Sequence, residues 1–454
     1  MATRRQQLQA HRFLVRRLAA GLVGGEPGTA SPPGQRLRTG MILGVSAGVL
    51  GIAGAATWGL VAPKPDSGWR DGQSVVVAEG TYNQYLYTDG VLHQVLNQAS
   101  ARLALPNYAV RTVPAAALRN VPRGAPVGIP GAPTDLPAPA ALVPGPWTVC
   151  STPGGDGTGG VRVSAALGVT VAGTDVTDGQ ALYVGVGEAR YLVWNGRRHL
   201  VTDPPAVLSA FRMAAARPVP VGAAWLNAVP AGADLAPLSL GARTAVADLG
   251  SVGDLFAYQD ASGGYEYAVT ARGLTPITPT QEALLRAGGS AAPKQLDPAR
   301  LTAAERAGQV GAPLAGDLPA PLPEPVGADS GVCWTATPGA DPEAPVYRLR
   351  RVAAAAVDAA GAWSATDGRG GRADRVLVGP DAGALATSTA GGVPQLLTAV
   401  GRRFPVASKD DLSRLGYAAA PTRIPAALLD LFPEGPALAA AAARTPQPAL
   451  VPGP

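Results

Sequence analysis

Residues 40–62 run for 23 positions without a charged side chain, and this stretch decides how the rest of the chain must be built. As a helix it is about 34 Å long, enough to cross the hydrocarbon core of a bilayer. Seven arginines precede it (Arg4, Arg5, Arg12, Arg16, Arg17, Arg36 and Arg38), whereas only Lys64 and Arg70 follow closely. That asymmetry places the N-terminus in the cytoplasm, and Trp58 falls at the depth of the outer interface. Ala53-Gly54-Ala55 imitates a signal-peptide cleavage site, but the apolar run is longer than a signal-peptide core and its leading tail is long. The expectation is one retained membrane helix at 40–62, a cytoplasmic basic tail at 1–39, and everything beyond it exported.

Charge supports that layout and removes one class of partner. The whole chain carries a formal +5, and its first 38 residues hold seven Arg against Glu26, which leaves the exported part slightly negative. A near-neutral ectodomain has no electrostatic footprint for nucleic acid. Within the tail, Leu14, Leu18 and Leu22 share one helical face while Arg12 and Arg16 share another. Arg4, Arg5, Arg12, Arg16 and Arg17 therefore act as a topology signal, or dock the tail on the lipid bilayer or a cytoplasmic partner. Gly40, Gly44 and Gly48 line one face of the membrane helix and would let a second helix approach closely.

The exported part shows a recurring pattern: an apolar strand beginning at or near Tyr, a turn ending in Gly, an apolar residue five positions on, then leucine. Tyr85 to Gly90 leads to Val95 and Leu103, Tyr191 to Gly196 leads to Val201 and Leu208, and Leu396 to Gly401 leads to Val406 and Leu412. A weaker copy starts at Tyr267, has Arg272 in the glycine slot, and continues to Ile277 and Leu284. Asp89-Gly90 and Asn195-Gly196 are hairpin-turn signals because both positions need positive φ. Leucine-bearing segments at Asn97–Leu103, Pro205–Met213, Pro279–Leu285 and Lys409–Leu415 read as helices, giving a ββα-like unit too small to bury a core alone. The expected fold class is α+β: an elongated ectodomain of four small β-rich repeat modules around a central β-rich domain. Repeat one spans 67–110, repeat two 166–225, repeat three 226–300 and repeat four 366–425. The central domain comes from 111–165 and 301–365, and 426–454 forms an Ala/Pro-rich tail, poorly ordered from 436.

Two cysteines, Cys150 and Cys333, lie in the central segments, each close to a tryptophan. In an exported chain they read as one disulfide, with two buried free thiols as the alternative. Three histidines are too few to suggest a metal site, so neither metal nor cofactor is expected. Catalytic motifs fare poorly. Gly44-Val45-Ser46-Ala47-Gly48 matches a nucleophile elbow but falls in the membrane helix. Gly155 to Gly160 contains a dinucleotide-type glycine pattern but runs into Val161-Arg162-Val163, which reads as strand. No phosphate-loop motif occurs, so no catalytic residue is assigned. His93 and His199 each lie three residues after a turn glycine, where the fourth repeat has Phe404, so the slot reads as ring packing.

The basic tail, the single helix, the run Tyr85 to Leu103 ending in Asn97-Gln98-Ala99-Ser100-Ala101-Arg102-Leu103, the paired cysteines and Pro433-Glu434-Gly435-Pro436-Ala437-Leu438 together resemble the EccB family of type VII (ESX) secretion components of actinobacteria. Gln94 stands where that family usually has Pro. The resemblance implies an inner-membrane protein with a periplasmic ectodomain stapled by a Cys150–Cys333 disulfide. It also implies assembly with EccC, EccD and EccE type membrane components; self-association is a further partner reading. ATP hydrolysis is attributed to the family, although no phosphate cradle is recognisable in these residues. A peptidoglycan-binding module is the alternative that repeated small exported domains suggest.

Overall fold

The structure is a computed structural model describing residues 4–24, 67–154, 160–327, 329–341 and 345–448. The expected membrane helix, with Gly40, Gly44, Gly48 and Trp58, lies outside the described residues; no helix among those described is long and apolar enough to cross a membrane. The chain divides into two compact units, 1–68 and 69–454, each treated by itself.

Among the described residues of the first unit lies α1 (Arg4–Gly24), which contains no acidic residue. Leu8, Leu14, Val15, Leu18 and Leu22 are all more than half exposed. They form a stripe recurring at three, four and seven residues, so the helix is amphipathic with its apolar face uncovered.

In the second unit, twenty-six strands are described, and most of them belong to five sheets. Sheet one holds β1 (Val75–Ala78), β2 (Gln84–Thr88), β3 (Val91–Gln94) and β4 (Val110–Val113). The central sheet begins with β5 (Trp147–Pro153), β6 (Val161–Leu167) and β7 (Thr174–Val176). Sheet two holds β8 (Gln180–Val186), β9 (Ala189–Trp194), β10 (Arg197–Leu200) and β11 (Val219–Pro220); a small hairpin follows, β12 (Ala245–Val246) with β13 (Gly250–Ser251). Sheet three holds β14 (Leu255–Asp260), β15 (Gly263–Thr270), β16 (Gly273–Ile277) and β17 (Lys294–Gln295). After it, β18 (Glu324–Val326) joins sheet two, and β19 (Gly331–Thr337), β20 (Val346–Val352), β21 (Ser364–Ala365) and β22 (Arg375–Val378) complete the central sheet. Sheet four holds β23 (Ala384–Ser388), β24 (Gln395–Leu397), β25 (Arg403–Pro405) and β26 (Thr422–Ile424).

Sheets one to four share one connection: a three-stranded meander, a helix, then a fourth strand that pairs parallel to the first. We refer to each sheet with its helices as a module. The expected ββα unit was therefore too small, because the strand before each Tyr-led strand and the parallel return strand carry no turn signal of their own. The helices α2 (Gln98–Leu103), α3 (Pro204–Ala210), α5 (Pro279–Ala287) and α8 (Lys409–Leu415) follow the meanders. Each starts on a side chain that accepts a backbone N–H, from Asn97, Asp203, Thr278 and Ser408 respectively. Further helices α4 (Ala223–Ala228), α6 (Pro298–Arg306) and α9 (Ala426–Leu429) follow the return strands of modules two, three and four.

The turns differ as their residues require. Asp89-Gly90 and Asn195-Gly196 have φ of 51° and 82°, and of 46° and 71°, the two-residue turn whose twist suits a hairpin. Arg272 cannot adopt that geometry cheaply, and positive φ moves to Gly273 at 122°. In module four Leu397 pairs with Arg403 across a longer loop, in which Gly401 has φ of 73°.

The central sheet runs β21-β22-β6-β5-β19-β20-β7, with α7 (Ala354–Asp358) packed against it. It recruits β7 and β22 from segments expected to belong to repeats two and four, and the boundary expected after residue 110 falls inside β4. Cys150 and Cys333 sit directly opposite one another on β5 and β19, with Cα atoms 4.0 Å apart, and form a disulfide. The poorly ordered tail expected from 436 is corrected up to residue 448. Leu438 and Ala443 are fully buried, and α10 (Ala440–Ala443) packs on α2, because the segment fills the core that modules one and four share.

Replacing both cysteines by alanine releases a loop of 183 residues. The expected result is a loss of about 2–5 kcal/mol, read from urea unfolding of the oxidised parent and the double variant.

Candidate functional site

Among the described residues no cleft with convergent catalytic groups emerges; what their side chains build is a set of module-to-module contacts. Among the described residues no three His, Cys, Asp or Glu side chains cluster to hold a metal ion. The glycine-rich stretch joins two antiparallel neighbours, since Pro153 pairs with Val161 across it; residues 155–159 lie outside the described residues. The strand that follows is β6, so this loop opens no helix for a pyrophosphate.

Each module closes on itself through a short crossing segment. In module one Leu92 N–H donates to Pro122 O and Gly124 N–H to Leu92 O; in module two Arg198 and Gly232 repeat this with Pro230. Modules three and four do the same through Leu274, Gln309 and Gly311, and through Arg403, Pro433 and Gly435. Three residues after each glycine, Val127, Leu235, Leu314 and Leu438 donate to Gln94, Leu200, Pro276 and Pro405 at 2.7–2.9 Å. A Cβ built on Gly124, Gly232 or Gly435 would run into the ring of His93, His199 or Phe404. In module three the slot holds Thr275, and a Cβ on Gly311 would meet its Oγ1 at 3.7 Å and Leu274 O at 3.8 Å, both ordinary contacts. The ring slot was read from the sequence; its glycine partner was not. The signal was present as Pro-x-Gly in three copies and Gln-Val-Gly in the third, but it lies 31–36 residues downstream in a chain with 58 Gly and 45 Pro.

Beyond the crossing segment the chain straps modules together in pairs. Modules one and four share a core containing Leu103, Leu385, Phe404, Leu412 and Leu415, with α2 against α8. Asn97 donates to Ile129 O at 2.8 Å, Arg102 reaches Leu415 O at 3.2 Å, and Tyr417 donates to Pro137 O at 2.8 Å. Burial pushes the Tyr417 hydroxyl far above its ordinary range, so it remains a donor. In return the C-terminal strap, anchored in module four where Asp411 holds Ala440 N–H, bonds module one: Arg444 donates to Ala104 O at 2.7 Å, and Gln447 N–H donates to Pro126 O at 2.7 Å.

Modules two and three share a second core, with Val207, Leu208, Ala283 and Leu284 at the contact of α3 and α5. Leu238 N–H donates to Leu284 O at 2.9 Å, and Thr280 donates to Pro321 O at 3.0 Å. Burial raises the carboxyls of Glu266 and Glu282 above the usual range; Arg286 and Arg212 partly offset this for Glu282. At Asp254 burial pushes upward, but the Ser251 N–H and the Arg243 guanidinium outweigh it and hold the carboxyl low.

The remaining sequence-derived residues do not converge. Gly90, Gly196 and Gly401 sit at the turns of three different modules, and the Cys150–Cys333 bond lies buried in the central sheet. Arg12, Arg16 and Arg17 are exposed on α1; Arg4 and Arg5 occupy its first turn.

A family profile described as "Type VII secretion system ESX-1, transport TM domain B" matches residues 1–452. The chain belongs to this family, EccB. The protein named ESX-3 secretion system ATPase EccB3, from Mycobacterium tuberculosis, is 28% identical over 99% of this chain and 90% of its own length. The ESX-1 secretion system ATPase EccB1 of the same species is 31% identical over 73% of this chain and 71% of its own. Among solved structures, a chain of an intact ESX-5 inner membrane complex aligns over 99% of this chain and 96% of its own, at 25% identity and a TM-score of 0.67. The EccB3 dimer from the ESX-3 core complex aligns over 82% of this chain and 99% of its own, at 25% identity and a TM-score of 0.65. The β-rich α+β fold is thus that of EccB proteins in such complexes.

The ring slot makes a direct prediction. Gly232→Ala drives a methyl group into the enclosed His199 ring and is expected to cost about 1–3 kcal/mol. Gly327→Ala has nothing within 4 Å of the new Cβ and should stay within about 0.5 kcal/mol of the parent. Equal losses for both in chemical denaturation would remove the slot from the structure's supports.

Proposed function

We propose that this protein is the membrane-anchored EccB component of a type VII (ESX) secretion complex, and that its work is assembly rather than catalysis. The observation that carries the reading is the family match across residues 1–452, which includes the basic tail and the apolar run as well as the ectodomain. In this reading residues 1–39 stay in the cytoplasm, 40–62 cross the inner membrane, and four modules of one repeated design surround the stapled central sheet in the periplasm. The positive-inside asymmetry supports that orientation. Gly40, Gly44 and Gly48 would pack against a neighbouring membrane helix, and the Arg4 to Arg17 cluster would dock at the cytoplasmic face. EccC, EccD and EccE type components are the expected neighbours. Self-association is expected too, because a related protein has been solved as a dimer.

A second reading is nucleotide hydrolysis, favoured by one observation: the relatives carry ATPase in their names. In this chain the glycine-rich loop joins two strands, and that gives ATP no cradle of the usual kind.

Mild-detergent extraction from native membranes separates these outcomes. The protein should co-purify with a multi-domain ATPase and a polytopic channel subunit. Emerging alone would sink the assembly reading. Hydrolysis by the isolated chain that disappears on altering a single defined pocket would establish the second reading instead.

A further inference from the structure

His199 is fully buried on β10, enclosed by Gly232 and by Trp194, whose ring centroid lies 6.0 Å away. Its Nδ1 is 2.7 Å from Ala233 O, which makes Nδ1 the protonated nitrogen of the neutral ring. Nε2 is buried and has no hydrogen-bond partner. A second proton would therefore create a buried cation whose new donor has no well-formed acceptor, with only the nearby Trp194 backbone to favour it. The charged groups acting on the ring are Arg197 on the same strand, which opposes protonation, and Asp234 on the crossing segment, which favours it. The carbonyl of Ala233 and the nearby backbone of Trp194 also favour the charged ring, yet burial dominates and holds its pKa below the ordinary histidine range.

The ring's anchor is also the start of a strap. Ala233 accepts from His199, Leu235 is fully buried in the core shared by modules two and three, and Leu238 bonds Leu284 on α5. Five residues separate the imidazole's partner from the next module's helix. The equivalent slot between modules one and four holds Phe404 against Gly435, a ring that cannot be protonated. His93, in module one, is only half-buried and bonds Ala125 O at 2.8 Å.

We propose that His199 is an acid-released latch: protonating it expels the ring from the slot, frees the strap at 229–240, and loosens the contact of module two with module three while the contact of modules one and four holds. The sign follows from the direction of the shift. Between the unfolded pKa near 6.5 and the lower folded value, the open state binds more protons, so the latch is firm above about pH 6.5 and weakens as pH falls through that window.

The test is hydrogen exchange on the detergent-solubilised full chain at pH 7.5 and 5.0, corrected for intrinsic rates. In the parent, amides of 229–240 should lose protection by about tenfold or more at pH 5.0, while those of 433–447 do not. His199→Phe copies the Phe404 slot and should keep 229–240 protected at both pH values; His93→Phe should behave like the parent. Unchanged protection of 229–240 in the parent overturns the proposal, as does equal loss in His199→Phe. If that variant does not fold, C2–H exchange of His199 in the unaltered chain decides: titration below that of His93 upholds the latch, and titration at or above it removes it.

Discussion

The pairing of β5 with β19 is the contact on which the ectodomain's order depends. It joins segments 183 residues apart through five registered pairs and one disulfide, and so divides the chain into an inner loop and two outer arms. Modules two and three lie in the loop, and modules one and four on the arms. Inner pairs with inner and outer with outer, α3 against α5 and α2 against α8, so the pairings are nested and do not cross. Once the two central strands are together, the contact between modules one and four no longer has to close a loop across the whole chain. Loop-closure entropy then bears chiefly on a single event, and the disulfide removes that event from the unfolded state's freedom.

Nesting also explains how such a sequence folds at all. Aromatics make up 5% of the chain, and each module's sheet has four or five mostly short strands. A sheet of that size with one helix leaves much of its apolar face uncovered. Modules one and three each keep a cluster of their own, around Trp69 and Phe256, and further cores are shared: one joins modules one and four, another joins two and three, and the largest joins the central sheet to modules two and four through Trp147, Trp225, Trp334 and Phe432. No module is buried by its own residues alone, which is why the connecting segments between modules carry so many of the backbone hydrogen bonds.

What was legible in the sequence was local, and what was not was long-range. Asp89-Gly90 and Asn195-Gly196 announce their turns because few residue pairs tolerate two consecutive positive φ values. The four helices that follow the meanders announced themselves as leucine-bearing segments, and the pairing of Cys150 with Cys333 by number and compartment. The return strands did not: Val219–Pro220 and Lys294–Gln295 are two residues each, too short for alternation to register, and they become strands only because β8 and β14 offer them a free edge. The C-terminal stretch misled for a related reason. Ala440 to Ala443 looks featureless as sequence, yet small side chains are what permit α10 to lie close against α2. The basic tail and the glycine face of the apolar run remain readings of the sequence, for the run itself lies outside the described residues.

The crossing segments show how one backbone design accepts different chemistry. All four make the same two hydrogen bonds around a glycine, while the slot beneath holds His93, His199, Thr275 or Phe404. Glycine is required wherever the slot holds a ring, since the ring occupies the space a Cβ would need. Where the slot holds threonine that demand is gone, and the same copy has also lost the proline, with Gln309 in its place. Ring and proline thus occur together in modules one, two and four and are absent together in module three, where the glycine remains as Gly311. With the backbone bonds common to all four copies, the slot residue is the variable that distinguishes one module contact from another. In the proposed latch it is the fully buried His199, with its unpartnered Nε2, that ties a contact to proton concentration, while the phenyl ring of Phe404 leaves its contact independent of it.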